Sequence, residues 1–406
     1  MKALLQDVPR ALHHNFIVYY WDIAVWGLYT GSTMTFLGVY AAREGATGAQ
    51  IGWLSAGPAI VALLASIPAG LLARRIRPKT SVVVSALVAR LLLLAYVFVP
   101  ALAPQADRVN ALIALTIVMA IPNTFLNICF GPLMLTAIPA EWRGQVVATR
   151  NALMSVISFV VTLVCGQLLV LLTLPSGYQV VFFIGFVGAV ATAYVLGQVK
   201  VAQPFAQPTS HSNEPWSLQR LLPRRDPAGR HYIVVVMMLF SLNLTGFMGA
   251  PLIPKLTVNT LGLNDAVISV GSALASILVF GVSLFVAQLA RKHGNKKLTA
   301  IGAAMLFLQS FALAFAQDAG LFLAASVVAG CASGILGAAS FNYHLDSLPQ
   351  QDQTAWISWS SMLGNVAVLV GSIVGPALVG VIGMPATFMT LGALRLMIGV
   401  MIYVWG

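Results

Sequence analysis

Asp22, Trp26, Tyr29 and Thr33 fall at i, i+4, i+7 and i+11 of one apolar stretch, so a helix through them carries a carboxylate, two aromatic rings and a hydroxyl on one face. The stretch from Phe16 to Tyr40 is long enough to cross a hydrocarbon core about 30 Å thick, which takes roughly 20 helical residues. An acid inside such a helix is costly to bury unless it has a partner or a task. Facing a solute path, the carboxylate can take up and release a proton as the protein changes shape. In a seam between helices it can instead form an ion pair, with Arg90 in the third span or Arg150 at the base of the fifth as available cations. The residue types leave both readings open.

Further polar groups interrupt other apolar segments. Asn123 and Asn127 share a face of the fourth span beside Pro122; such amides hydrogen-bond a solute or tie two helices together at about 1 kcal/mol each. Asn243 and Phe247, followed by Pro251 and Pro254, mark a broken seventh span, a feature of mobile gates and also of plain packing. Asn342, Tyr343, His344 and Asp346 close the tenth span, where His344 suits either a pH switch or a helix-end group. Trp359, Met362 and Asn365 give the eleventh span a face for a cavity or for packing. The cavity candidates are therefore Trp26, Tyr29, Thr33, Asn123, Asn127, Asn243, Phe247, Asn342, Trp359 and Asn365, with Asp22 as the proton-coupling candidate. Ser155, Ser158 and Thr162 of the fifth span, and Ser269, Ser272 and Ser276 of the eighth, read as small-residue seams. Arg395 lies mid-span with no acid in reach by sequence, which suggests snorkelling or a lipid headgroup.

None of this is enzyme chemistry. The chain has no Ser-His-Asp spacing, phosphate-binding glycine loop or paired mid-span carboxylates, and Cys129, Cys165 and Cys331 match no metal spacing. Neither a catalytic residue, a metal nor a cofactor is expected.

The elements that must position these groups follow from composition. With 59% hydrophobic and 8% charged residues, the chain cannot be a water-soluble domain. Twelve apolar segments, from 16–42 to 384–405, are too continuous for outer-membrane strands and read as transmembrane helices. The net charge of +11 follows topology and does not imply a nucleic-acid partner. Lys and Arg crowd alternate loops, such as Arg74, Arg75, Arg77 and Lys79, or Arg291, Lys292, Lys296 and Lys297, while the opposite side has only Arg43, Arg108 and Lys255. That asymmetry puts both termini and the central linker in the cytoplasm, with Met1 to His14 as a retained tail. The Pro- and Arg-rich stretch 199–230 divides an N-terminal six-helix bundle, 1–198, from a C-terminal one, 231–406. Thr47-Gly48-Ala49-Gln50-Ile51 aligns with Asn264-Asp265-Ala266-Val267-Ile268, and Ile138-Pro139 with Leu348-Pro349, as in parallel six-plus-six repeats of transporters.

From Phe16 to Tyr403 the chain resembles the major facilitator superfamily. The loop Gly70-Leu71-Leu72-Ala73-Arg74-Arg75-Ile76-Arg77-Pro78-Lys79 is similar to the family's basic loop between the second and third helices, with an echo at Ala290-Arg291-Lys292-His293-Gly294. Arg74 stands where the family has an aspartate, so the usual cytoplasmic latch does not carry over. A rearranged gate would draw on Arg74, Arg75, Arg150, Asp346 and Asp352. Pro139-Ala140-Glu141-Trp142-Arg143-Gly144 matches the short turn before the fifth helix, whereas the fourth-helix arginine of proton antiporters is missing. The resemblance implies an all-α integral membrane protein of the major facilitator fold, with twelve transmembrane helices in two six-helix bundles and the first, fourth, seventh and tenth helices lining a cavity. It also implies a secondary transporter that moves a small-molecule substrate by alternating access. An amphipathic or lipophilic solute exported with proton coupling is the first expectation; a facilitator or importer, or a non-transporting assembly factor for lipid or pigment, is the alternative. The partners are then the substrate, membrane lipid and protons, and the protein is a monomer in the plasma (inner) membrane.

Overall fold

Backbone groups in hydrocarbon must be satisfied within their own segment, and the computed structural model is helical throughout its regular elements. It describes residues 9–73, 76, 78–172, 174–200, 227–349 and 353–405. The helices are α1 (His13–Tyr29), α2 (Thr35–Arg43), α3 (Gly48–Ala73), α4 (Pro78–Leu102), α5 (Arg108–Ala137), α6 (Ala140–Leu171), α7 (Ser176–Leu196), α8 (Pro227–Gly249), α9 (Leu252–Lys255), α10 (Asp265–His293), α11 (Asn295–Ala314), α12 (Ala319–Asp346), α13 (Gln353–Ile382) and α14 (Met384–Trp405). Eleven helices among the described residues are long and apolar enough to cross a membrane. The first span, with Asp22 and its threonines and tyrosines, is the least apolar of the twelve expected.

Both halves start alike. A π turn, Thr30–Met34, joins α1 to α2, and a second, Leu256–Thr260, follows α9, so the first and seventh spans are each interrupted toward the same end. The aligned residues Thr47 and Asn264 both cap helices. Thr47 and Gln50 form a capping box before α3, with Gln50 N donating to Thr47 Oγ1 at 3.2 Å and Thr47 N to Gln50 Oε1 at 3.0 Å. Asn264 Oδ1 accepts from Val267 N at 2.9 Å to start α10. Gly294, at φ +81°, ends α10 in a conformation that side-chain-bearing residues avoid.

The chain forms two compact units. One holds α1, α3 from Leu64 onward, and α4 to α7; the other holds α2 from Gly38, α3 up to Leu63, and α8 to α14. In the first, α1 packs on α6 and α7, and α4 on α5 and α7. In the second, α8 packs on α13 and α14, and α11 on α12 and α14. These are equivalent pairs under the six-plus-six repeat. The core of the first unit gathers Phe16, Tyr19, Tyr20, Leu126, Leu133 and Val146. The linker expected at 199–230 lies outside the described residues between 201 and 226.

Candidate functional site

Glycines bring α1 close enough to α6 for buried polar groups to meet. A side chain at Gly27 would run into Ile157, and one at Gly31 into the backbone of Ser158 at 2.7 Å. Across that seam Ser158 Oγ donates to Gly27 O at 3.4 Å, Thr162 Oγ1 donates to Gly31 O at 2.9 Å, and the hydroxyls of Thr30 and Ser158 touch. Ser155 instead bonds its own helix at Asn151 O.

One turn and more below Gly27, Asp22 is 5% exposed and accepts from Arg150 Nη2 at 3.1 Å. The guanidinium of Arg150 lies against an edge-to-face pair of rings, 5.3 Å from Tyr19 and 4.9 Å from Phe130. A buried pair of this kind needs its remaining hydrogen-bonding groups satisfied, yet Arg150 Nη1 and Tyr19 Oη have no partner among the described residues. Arg150, a gate candidate from sequence, is thus the partner of Asp22 in the interior of the first unit.

Arg90 completes the cluster. It is 5% exposed, and its guanidinium sits 4.2 Å over Trp26, whose ring is 4.5 Å from that of Tyr29. Its Nη1 donates to Asn123 Oδ1 at 3.0 Å, and its charge acts on both Asp22 and Tyr29. Asp22, Trp26, Tyr29 and Asn123 therefore stand together with Arg90 and Arg150 on α1, α4, α5 and α6, two guanidiniums to one carboxylate. Two expected members lie elsewhere. The π turn after Tyr29 breaks the helical period, and Thr33 is buried against Gly185 of α7. Asn127 is exposed, one turn beyond Asn123.

The remaining candidates belong to the second unit and form no such cluster among its described residues. Asn243 is exposed and donates to Leu239 O of its own helix, while Phe247 packs against Gly371. Asn342 is exposed, Asn365 donates to Ser361 O, and Trp359 stacks edge-on to Trp356. His344 Nε2 meets Tyr232 Oη at 2.7 Å, and Asp346 accepts from Asn295 Nδ2 at 2.7 Å. The gate candidates Arg74, Arg75 and Asp352 lie outside the described residues. Arg395 does not snorkel: it is 6% exposed and donates to Ser310 Oγ at 2.7 Å and Thr245 O at 3.1 Å. Sequence offered no acid for it because its acceptors are a hydroxyl and helix carbonyls, which spacing does not reveal. Among the described residues no group of His, Cys, Asp or Glu could hold a metal ion.

The family profile described as the Major Facilitator Superfamily matches residues 22–351 and again 283–406. No curated protein matches the chain. Among the solved structures similar in fold are two of a nucleoside transporter. A crystal structure of the nucleoside transporter NupG has a TM-score of 0.64 at 13% identity, covering 98% of this chain and 99% of that one. A structure of a NupG point mutant has a TM-score of 0.67 at 13% identity, covering 96% and 99%. At that identity the likeness is one of fold alone.

Proposed function

The chain belongs to the Major Facilitator Superfamily, and from that premise we propose that it is a secondary transporter that exports a small amphipathic organic solute by alternating access, with Asp22 as the proton-coupling residue. The observation that carries the reading is two neighbouring polar groups inside the first unit, Asp22 with Arg150, and Arg90 with Asn123, Trp26 and Tyr29, drawn from α1, α4, α5 and α6. Rings and an amide receive a planar body with polar substituents. NupG is a nucleoside transporter, so nucleosides belong in the first panel of solutes tested.

Protonating Asp22 removes its charge from Arg150, and breaking a buried pair this way costs on the order of 3–5 kcal/mol. That is enough to bias a two-state equilibrium, provided the two states differ in how well they hold the pair. The arginine-rich loops support an inner-membrane orientation with cytoplasmic termini, and nothing in the cluster asks for a second subunit, so a monomer suffices.

Purified protein in proteoliposomes tests the proposal. Counterflow of a solute from a broad panel is expected; no counterflow, together with a lipid or pigment retained through purification, would favour an assembly factor instead. Asp22→Asn should abolish gradient-driven transport and leave counterflow, and unchanged gradient-driven transport would exclude Asp22 as the coupling residue.

A further inference from the structure

Asp22 answers Arg150, which leaves the second guanidinium of the cluster without a counter-charge at hydrogen-bond distance among the described residues. Arg90 stands halfway along α4, more than nine-tenths buried. Among the described residues its one hydrogen bond runs from Nη1 to the neutral carbonyl of Asn123, the Nε–Nη2 edge is unused, and buried Nε has no acceptor. That edge presents two parallel N–H groups, the side of a guanidinium that takes both oxygens of a carboxylate. A cation at this depth is stabilised by an anion far better than by a single amide oxygen.

The surroundings say what the anion is attached to. Trp26 covers one face of the guanidinium, and the Tyr29 ring 4.5 Å from Trp26 extends the aromatic surface; both rings are partly exposed, as is Asn123. Asn123 gives its oxygen to Arg90, and its amide nitrogen has no acceptor among the described residues. One surplus positive charge matches one negative charge, which disfavours dianions such as phosphate monoesters.

We propose that Arg90 is a specificity-determining residue whose Nε–Nη2 edge binds the carboxylate of a small aromatic acid, with the acid's ring against Trp26 and Tyr29 and a second polar substituent on Asn123. The inference rests on the transporter reading above and narrows its substrate class. A purely structural Arg90 would tie α4 to α1 and α5 and show no preference for charge.

The experiment compares benzoate, 4-hydroxybenzoate and indole-3-acetate with their neutral amides, using the full-length protein. Binding is read by tryptophan fluorescence and transport by counterflow in proteoliposomes. Wild type is expected to bind at least one acid about tenfold or more tightly than its amide. Arg90→Gln should erase that preference, and Arg90→Lys should restore part of it. Equal binding of acid and amide by wild type, or an intact preference in Arg90→Gln, overturns the assignment. Should Arg90→Gln fail to fold, the wild-type ratio still decides. Counterflow of neutral solutes alone overturns the role of Arg90 and leaves the transporter reading standing, whereas counterflow of no solute at all overturns both.

Discussion

Arg395 and Asp22 meet the same desolvation cost by different routes. Asp22 has a guanidinium at 3.1 Å, while Arg395 has a serine hydroxyl and a helix carbonyl that already belongs to α8. A lone buried cation held by neutral acceptors contributes little net stability, and replacing it by an apolar side chain of similar length is often neutral or stabilising. Arg395→Met should therefore unfold at the same temperature as wild type in a thermal scan in detergent, or higher. Arg395→Ala should unfold earlier, because the lost side-chain stem leaves a cavity costing about 2–4 kcal/mol. If both variants fall equally, the charge itself stabilises the fold. Asp22 was legible as the residue to explain because an acid in a span stands out on composition alone. Its choice of Arg150 over Arg90 was not, since both cations lie on other helices and nothing in the spacing along one helix fixes the rotation of the next. Arg90 was legible only as a possible partner; its place over Trp26 required the fold.

At the scale of the helices, close approach is set by glycine, and the two halves use it on opposite partners. In the first, Gly27 of α1 and Gly31 of the π turn after it face Ile157 and Ser158 of α6; in the second, Gly371 and Gly375 of α13 face Leu244, Phe247 and Met248 of α8. The same pair of spans is joined each time, with the small residues moved from one member to the other, so the seam survives while the sequence match does not. Gly31→Val would push a branched side chain into the Ser158 backbone at 2.7 Å. It should cost about 1–3 kcal/mol by overpacking and push α6 away along this seam. Gly131→Ala, where nothing lies within 4 Å, is the control and should gain about 0.5–1 kcal/mol of helix propensity. Equal thermal stability of the two variants would mean that the seam yields easily. Span number was readable from hydropathy, and the pairing of Thr47 with Asn264 from the aligned loops; that both cap helices came with the structure. The π turn at Thr30–Met34 was not, because Thr, Gly and Ser suit a helix with or without an extra residue, and so the Thr33 stripe was drawn one residue too regular.

For the molecule as a whole, the informative contacts are those of the second unit, where residues 38–63 are packed with the second half of the chain. Arg43 at the end of α2 pairs with Asp265 at 3.1 Å and donates to Leu263 O, at the ends of the spans remote from the arginine-rich loops. Nearby, a side chain at Gly38 would meet Pro254 Cβ at 3.7 Å, and one at Gly48 would meet Pro376 Cβ at 3.3 Å. The alternating access proposed above would require contacts at this end to open once per cycle, so fixing one of them should stop turnover without harming the fold. Gly38→Cys with Pro254→Cys suits the test, since disulfide Cβ atoms lie about 3.8 Å apart. In a background with Cys129, Cys165 and Cys331 replaced by alanine, oxidation should form the bridge and abolish counterflow, and reduction should restore it. A bridge that forms quantitatively while counterflow continues would mean that this contact stays closed throughout the cycle. The moving seam would then have to be sought elsewhere, and the ion pair of Arg43 and Asp265 would be a fixed tether whose removal changes stability alone.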